Sequence, residues 1–244
     1  MAWGLWFYFW LLILTFIWAG EAIFVSYLDS SGRLVQRVAH LWGRAMLRVC
    51  KIKYTVQGLE LLTPGQPYVF AANHQSQLDI MVLLAALPGP FVYLAKKSLF
   101  QVPVFGQAIA RMGCLPVDRT NLQEAIKTLN RAAQLVQAGR SVVVFPEGTR
   151  SATGHLLPFK KGSFVMATKS GQPIVPVSIS GTRFILPRGL VRLKPGPIKV
   201  VIAPPIDPKA FPRNRKEELM DTVRRAIEAN FDPDFPYGPQ RADQ

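Results

Sequence analysis

The sequence predicts an α/β protein in which a mixed β-sheet is covered by helices and follows an N-terminal hydrophobic, membrane-anchoring helical segment. Two observations support this prediction. Beyond residue 54, short apolar runs alternate with longer stretches of helical periodicity, an order typical of an α/β sheet. The first 20 residues are strongly apolar, and the 244-residue chain has room for one sizeable core. Functional groups are therefore expected on the loops that leave the strands.

The N-terminal apolar run extends from Ala2 to Gly20, which is 19 residues without a charged side chain. As a helix it would be roughly 28 Å long, close to the ~30 Å hydrocarbon core of a bilayer. Nothing basic precedes it, unlike the start of a secretory signal peptide, so we expect it to be retained. Its tryptophans suit the membrane interface as well as the interior, so crossing the bilayer and lying in its surface both stay open.

A basic amphipathic helix is predicted in the next stretch, GRLVQRVAHLWGRAMLRVC. Its four arginines fall within roughly a 60° sector of the helix: Arg33, Arg37, Arg44 and Arg48. The opposite face is mostly apolar, as in a helix that lies on an anionic bilayer. The alternative is a surface helix that docks on the protein's own core and leaves the arginines in solvent. In both arrangements the positive-inside rule places the following domain at the cytoplasmic face of the cell membrane.

The net charge of +14, from 29 Lys and Arg against 15 Asp and Glu, predicts an anionic partner. Basic residues occur as singles and pairs rather than in the long tracts of a nucleic-acid-binding tail. An anionic membrane surface or a phosphate-bearing substrate is therefore favoured, and no nucleic acid is expected. The two cysteines allow neither a disulfide framework nor a CxxC-type metal site, and they indicate a reducing compartment.

Three regions and nine elements are predicted along the chain. The regions are membrane-anchoring helices over residues 1–53, an α/β domain over residues 54–230 and an irregular C-terminal tail over residues 231–244. The predicted strands are Tyr68–Ala71, Phe91–Leu94, Val142–Phe145, Ile174–Ile179 and Ile198–Ile202. The predicted helices are Gln77–Leu87, Val104–Met112, Leu122–Ala138 and Lys216–Ala229.

The stretch NHQSQLD, residues 73–79, contains a candidate catalytic pair. On one continuous helix, His74 and Asp79 would lie about 140° apart and could not meet. Ser76 followed by Asp79 ahead of an apolar run resembles a capping box, which places His74 in the preceding loop and Asp79 in the first turn. The carboxylate would then orient the imidazole as a general base. The alternative is a capping aspartate beside an ordinary loop histidine.

Three further stretches place cationic side chains after apolar runs. In GCLPVDR, Arg119 can hold phosphate oxygens in a bidentate fork. In FPEGTRS, Gly148 lets the backbone approach a ligand closely, and Arg150 offers five donors. In PFKKGSF, Lys160 and Lys161 stand at the start of a helix, where amides and cations together favour an anion. Each stretch alone also fits a solvated ion pair, turn or helix start.

In this order and spacing, NHQSQLD, GCLPVDR, FPEGTRS and VPVSISG resemble the four sequence blocks of the glycerolipid acyltransferases, most closely the 1-acyl-sn-glycerol-3-phosphate acyltransferases. The resemblance covers roughly residues 54–206 and includes AKKSLFQVPVFGQAI and PFKKG. It implies the glycerolipid acyltransferase fold, with His74 as catalytic base and Asp79 as its partner. The resemblance also implies a set of residues that bind the acceptor phosphate, with Lys97 as a rival to the first: Lys96, Arg119, Glu147, Gly148, Thr149 and Arg150.

The resemblance implies acyl transfer from an acyl-CoA or acyl-ACP thioester to the sn-2 hydroxyl of 1-acyl-sn-glycerol-3-phosphate, a lysophosphatidate, giving phosphatidic acid. No cofactor or metal is expected, because the thioester is already activated. The apolar fourth block, Val175 to Ile179, is expected to shape an acyl channel or the core.

Three alternatives stay open. A serine hydrolase could use Ser76, although no GxSxG elbow occurs. The chain could be a non-catalytic basic lipid-binding protein. A family member could also acylate another lysophospholipid or an amino-acid-linked lipid.

Overall fold

A computed structural model describes residues 2–118, 120–189, 192–212 and 215–237, and a seven-stranded sheet forms its centre. The strands are β1 (Lys53–Gln57), β2 (Val69–Ala72), β3 (Phe91–Lys96), β4 (Leu115–Val117), β5 (Ser141–Val144), β6 (Ile174–Ser180) and β7 (Pro197–Ile202). Their spatial order is β1-β7-β6-β2-β5-β3-β4. Only β6 and β7 pair antiparallel among these neighbours, so the sheet is mixed, which confirms the predicted fold class.

Eight α-helices surround this sheet in the described part of the chain. They are α1 (Ala2–Leu28), α2 (Arg33–Val49), α3 (Leu78–Ala86), α4 (Phe105–Arg111), α5 (Leu122–Gln137), α6 (Lys161–Ser170), α7 (Thr182–Ile185) and α8 (Lys216–Asn230). Short 3-10 helices cover Leu59–Leu61, Lys97–Gln101 and Pro208–Ala210. Each of the nine predicted elements is present, with ends shifted by about one or two residues, the usual scatter of element boundaries. β1, β4 and α7 are additional to the prediction.

Side chains of the central strands alternate between two buried clusters on opposite faces of the sheet. Along β2, Phe70 and Ala72 contribute to the cluster that α1 to α4 cover. Val69 and Ala71 contribute to the cluster that α5, α6 and α8 cover. This alternation is the period of two expected of a strand. Because both faces are covered, the strands are apolar almost throughout.

The apolar face of α2 is buried inside the protein. Of the two arrangements expected for this helix, the structure shows docking on the protein's own core and not an apolar face directed at the bilayer. Val35, Met46 and Leu47 are each 1% exposed. At Gly43, a Cβ would lie 2.8 Å from the Cβ of Leu84 and 2.9 Å from the carbonyl of Met81, so α2 packs directly on α3. The four arginines of this helix stay exposed.

One side of α1 is packed on the protein and the other is exposed and apolar. Phe7, Ala19 and Ala22 are buried where α1 packs on α2 and α4. The 26 residues from Trp3 to Leu28 are long and apolar enough to cross a membrane, by length and composition alone. Large apolar side chains exposed on this helix include Leu5, Trp6, Phe9, Leu12, Phe16, Ile17, Phe24 and Leu28.

The buried cluster on this face runs from α1 into the sheet without interruption. The predicted boundary at residue 53 therefore stays a prediction. Of the predicted tail, residues 231–237 are described and form no helix or strand, whereas residues 238–244 lie outside the described part.

Candidate active site

The parallel strands β2, β3, β4 and β5 end at the same edge of the sheet, and the predicted site residues follow these ends. β2 leads through His74 to α3 on one face, while the adjacent β5 leads through Glu147 and Arg150 to α6 on the other face. A crevice where connections diverge beyond the carboxyl ends of strands is the usual ligand position in such sheets. Lys96 ends β3 at this edge, and Arg119 follows β4 but lies outside the described residues.

His74 and Asp79 form a hydrogen-bonded pair at the end of β2. Nδ1 of His74 lies 2.7 Å from Oδ2 of Asp79. The same carboxylate oxygen accepts the backbone N–H groups of Gln75 at 2.7 Å and Ser76 at 2.8 Å. An ionised Asp79 requires the proton on Nδ1, which leaves Nε2 of the neutral ring as an acceptor. Asp79 is fully buried and the His74 side chain is 14% exposed, so the ring reaches solvent at one edge.

The predicted capping box is formed in part. The Asp79 carboxylate accepts the Ser76 N–H, as the motif requires, but α3 begins at Leu78 and its N-cap is Gln77 rather than Ser76. The Ser76 hydroxyl accepts the Leu78 N–H at 3.2 Å and donates to the Leu186 carbonyl at 2.7 Å. Ser76 is fully buried and its hydroxyl is committed to the backbone, which does not fit the nucleophile of a serine hydrolase.

An aromatic stack holds the plane of the imidazole. The rings of His74 and Phe145 are stacked with centroids 4.0 Å apart and an interplanar angle of 18°. Phe145 in turn stacks on Tyr93, whose hydroxyl donates to the carbonyl of Ile80 at 3.0 Å. Burial raises the pKa of Tyr93 well above its ordinary value, so this phenol stays neutral. The sequence pattern predicted Phe145 only as the end of a strand. Its position one residue beyond β5, the strand next to β2, is the signal that indicates a site residue.

Glu147 turns into the protein between the two loops. Oε1 accepts the His74 N–H at 2.7 Å, and Oε2 accepts the Leu157 N–H at 2.9 Å. The residue is 2% exposed, and burial raises the pKa of its carboxyl, an effect that these hydrogen bonds and the nearby His74 oppose. A buried carboxylate with both oxygens occupied does not fit a direct contact with an anionic phosphate. A second bond joins the same loops, because the Ser151 N–H donates to the His74 carbonyl at 2.8 Å.

The contacts around Gly148 distinguish Lys160 from Lys161, which the sequence pattern did not distinguish. Gly148 has a φ of +69°, and a Cβ there would lie 2.9 Å from Cε and 3.0 Å from Nζ of Lys160. The Lys160 side chain therefore lies over this turn, where it is exposed and has no ion-pair partner among the described residues. Lys161 instead pairs with Glu217 at 2.7 Å, away from the turn.

An ion pair likewise distinguishes Lys97 from Lys96, the two candidates for the phosphate ligand at the end of β3. Nζ of Lys97 lies 3.2 Å from Oδ2 of Asp118. The hydroxyl and N–H of Thr120, together with Lys97, lower the pKa of Asp118 to about 2, so this carboxylate is ionised and engages Lys97. Lys96 is exposed and has no such pairing within the described ranges. The geometry therefore favours Lys96 as the cation available to a ligand.

Thr149 and Arg150 are partly exposed in the loop beyond the Gly148 turn. The carbonyl of Arg150 accepts a hydrogen bond from Nη1 of Arg188 at 2.7 Å, which brings a second guanidinium to this loop. The structure thus brings His74, Asp79 and the Glu147–Arg150 segment together, with Lys96 two strands away on the same edge.

Asn73 joins the first and fourth sequence blocks. Its side-chain amide donates to the Ile179 carbonyl at 2.9 Å and accepts the Ile179 N–H at 2.7 Å. Every residue of β6 is buried, so the fourth block forms core and anchors the His74 loop. Of the two roles expected for this block, the structure supports the core.

The mixed sheet, its covering helices and the His74–Asp79 pair at its carboxyl edge agree with the acyltransferase fold that the sequence blocks implied. The acyltransferase family model matches residues 53–180, which is more than half of the 244 residues. The chain therefore belongs to the acyltransferase family.

Relatives with assigned activities cover much of the chain. The 1-acyl-sn-glycerol-3-phosphate acyltransferase BAT2, chloroplastic, of Brassica napus is 41% identical over 171 residues, which are 69% of this chain and 49% of that protein. The 1-acyl-sn-glycerol-3-phosphate acyltransferase alpha of Homo sapiens is 34% identical over 177 residues, covering 72% of this chain and 62% of that protein. The chain thus spans between about half and three fifths of the length of these two relatives.

A solved structure resembles the chain over nearly its whole length. It is the crystal structure of the 1-acyl-sn-glycerophosphate (LPA) acyltransferase, PlsC, from Thermotoga maritima, with a TM-score of 0.81 and 28% sequence identity. The match covers 94% of this chain and 95% of that chain. It extends beyond the family domain and includes the N-terminal helices in the shared architecture.

Proposed function

We propose that the protein transfers a fatty acyl group from a thioester to the sn-2 hydroxyl of 1-acyl-sn-glycerol-3-phosphate and so forms phosphatidic acid. The observation that carries this proposal is the 2.7 Å pairing of His74 Nδ1 with Asp79 at an edge of the sheet where cationic side chains gather. The activities named for the relatives support the same reaction and the same acceptor.

The residues present supply general-base catalysis. Nε2 of His74 takes the proton of the acceptor hydroxyl as its oxygen attacks the thioester carbonyl carbon. Collapse of the tetrahedral intermediate breaks the C–S bond, and the proton on Nε2 passes to the departing thiolate sulfur. Asp79 stays ionised, holds the tautomer and stabilises the transient imidazolium. Such proton transfer typically contributes about 10²–10⁴-fold in rate.

The acceptor phosphate is bound, in this proposal, by cations along the same edge. Lys96, Arg119 and Arg150 supply the charges that the family pattern assigns to phosphate. The Gly148 N–H closes the turn on the Phe145 carbonyl at 2.9 Å, and Thr149 brings its main-chain N–H to the ligand. Lys160 lies over that turn and adds a fourth cation. Fixing the non-reacting end of the acceptor places its hydroxyl near His74, so binding energy is used for orientation.

We place the reaction at the cytoplasmic face of the cell membrane. The exposed apolar side of α1 enters the lipid, and the exposed arginines of α2 meet anionic headgroups. The lysolipid acceptor then reaches the site from the bilayer, while acyl-CoA or acyl-ACP arrives from solution. Both donors present the same thioester carbonyl to the acceptor hydroxyl.

A thiol-release assay tests the proposal. The purified full chain in mixed micelles is given acyl-CoA or acyl-ACP with lysophosphatidate, other lysophospholipids or an amino-acid-linked lysolipid. We expect thiol release to require an acceptor and to be fastest with lysophosphatidate. His74→Ala should lower kcat by about 10²–10⁴-fold. His155→Ala, at an exposed histidine, should retain the wild-type rate.

Full activity of the His74→Ala variant would rule out a mechanism in which the His74–Asp79 dyad is the general base. Faster turnover of another acceptor would reassign the substrate within the family. Lipid binding without thiol release from any donor would point to a non-catalytic lipid-binding protein.

A further inference from the structure

We propose that Glu147 is a positioning residue that holds the backbone of the catalytic histidine, rather than a ligand of the acceptor phosphate. This inference rests on the proposed acyl transfer. It concerns how the loop after β5 determines where the His74 imidazole lies.

Glu147 bridges two separate segments through backbone N–H groups. One oxygen is 2.7 Å from the His74 nitrogen, and the other is 2.9 Å from the Leu157 nitrogen. The residue is 2% exposed, so solvent does not compete for either bond. Hydrogen bonds to an ionised acceptor are roughly twice as strong as those between neutral groups. A phosphate ligand would meet a negative charge here instead of a donor.

The far end of this bridge is anchored on α8. Nη1 of Arg224 donates to the Leu157 carbonyl at 2.8 Å, and Nη2 of Arg224 pairs with Glu228 at 2.8 Å. The Arg224 guanidinium also lies over the Phe159 ring, 5.2 Å from its centroid. A continuous series of contacts therefore runs from α8 through Leu157 and Glu147 to the backbone of His74.

This position matters because proton transfer depends on small distances. A general base acts when it lies about 2.6–3.2 Å from the proton's oxygen, and misplacement by about 1 Å can lower a rate by about 10²-fold. Asp79 orients the imidazole and Phe145 fixes its plane. Neither contact restrains the His74 N–H, whose acceptor is Glu147. Loss of that acceptor would leave the ring correctly oriented on a displaced backbone.

Kinetics of two variants test the proposal. Glu147→Gln keeps the shape and one acceptor oxygen but turns an NH₂ group toward the second backbone N–H, whereas Glu147→Ala removes both acceptors. We expect kcat per folded molecule to fall about tenfold for Gln and about 10²-fold for Ala. The acceptor KM should stay within about twofold of wild type. Glu217→Gln, at the surface partner of Lys161, is the control and should change neither constant.

An altered acceptor KM with unchanged kcat would overturn the proposal in favour of a phosphate contact. If Glu147→Ala leaves kcat per folded molecule unchanged, Glu147 contributes only to the stability of the fold and the proposal is wrong. If the wild type transfers no acyl group to any lysolipid, the proposed function fails, and a second measurement still tests the bridge.

That measurement is hydrogen exchange of the His74 amide in the full chain, followed by mass spectrometry under native conditions. The bond to a buried carboxylate predicts slow exchange in the wild type and in Glu217→Gln, and faster exchange by about tenfold or more in Glu147→Ala. Equal exchange in all three proteins would show that Glu147 does not hold this backbone.

Discussion

The imidazole of His74 is restrained in three different ways. Asp79 fixes which ring nitrogen carries the proton, Phe145 fixes the plane of the ring, and Glu147 accepts the backbone N–H. These contacts come from the first turn of α3, from the residue that follows β5 and from the loop beyond it. The three restraints act on the tautomer, on the ring plane and on the backbone position of His74. The proposed base is therefore already oriented before substrate binds, and little reorganisation is left for the reaction itself.

At the same scale, the two neighbouring lysines at the start of α6 should behave differently. Lys160 lies over the Gly148 turn, whereas Lys161 pairs with Glu217. Lys160→Ala should raise the acceptor KM about tenfold, because it removes a cation from the phosphate site, with kcat changed less than about threefold. Steady-state kinetics with lysophosphatidate at fixed donor concentration measure this.

Lys161→Ala is the matched control, since it changes the same charge and the same helix turn. Its KM should remain within about twofold of wild type, because an exposed ion pair contributes about 1 kcal/mol or less. Equal effects of the two substitutions would mean that only the overall positive charge affects the acceptor KM. Lys160 would then not be part of the proposed phosphate site.

The sequence predicted the contact between His74 and Asp79 better than the contacts around it, for a physical reason. The His74–Asp79 contact is local and follows from where α3 begins, which capping chemistry indicates. The inward turn of Glu147 depends on N–H groups 73 residues before it and 10 residues after it, and no local pattern reports such partners. Lys96 and Lys97 likewise differ only because Asp118 of the next strand end engages one of them.

At the scale of elements, α2 packs against the rest of the protein in addition to its proposed contact with the membrane. Its buried face covers α3, the helix that carries Asp79 in its first turn. Gly43 is a point of close approach between the two helices. Through this contact, the position of the N-terminal helices is coupled to the helix that orients the base.

Gly43→Ala should destabilise the protein although alanine is the better helix former. Its Cβ would lie under 3.0 Å from both Leu84 and the Met81 carbonyl. Overpacking costs about 1–3 kcal/mol, which exceeds the ~1 kcal/mol gained in helix propensity. Gly20→Ala in α1 meets no atom within 4 Å and should cause no loss. Urea unfolding of both variants in one detergent measures the difference; a more stable Gly43→Ala would show that α2 does not pack this tightly.

The elements missed from the sequence are those with the weakest local signal. β4 has three residues, fewer than the roughly four over which the alternation of a strand can be recognised. It is recognised only by its pairing with β3. β1 alternates properly but begins with an exposed lysine beside another basic stretch, and its partner β7 is far along the chain. The burial of α2 could not be read from its amphipathicity, because a lipid surface and a protein surface select the same apolar stripe.

At the scale of the whole molecule, exposed positive charge follows in sequence the helix that is proposed to enter lipid. The exposed arginines of α2 follow directly on a helix with an exposed apolar side, and the net charge is +14. Each basic residue near an anionic bilayer surface contributes about 1 kcal/mol, and this contribution weakens as salt screens it. In the proposed membrane attachment, charge would therefore add selectivity for anionic lipids to the hydrophobic contribution.

Replacing the four arginines of α2 with glutamine should remove that selectivity. We expect the ratio of binding to anionic over zwitterionic vesicles to fall at least about tenfold, with its salt dependence, because the electrostatic contribution is lost. Activity in detergent should persist, since these side chains are exposed and outside the site. Vesicle flotation at two salt concentrations measures the ratio. Arg131→Gln with Arg225→Gln, on other helices, is the control; an equal loss there would mean that only net charge matters.

The paired hydrogen bonds between Asn73 and Ile179 have a consequence for biogenesis, because they join residues 106 positions apart. As the chain emerges from the ribosome, α1 is complete and can engage lipid long before β6 exists to hold the loop of the catalytic histidine. Contacts this distant in sequence form late in folding. In the proposed membrane attachment, α1 would therefore reach the bilayer before the His74 loop is held in place, and the site would be complete only after most of the polypeptide has been synthesised.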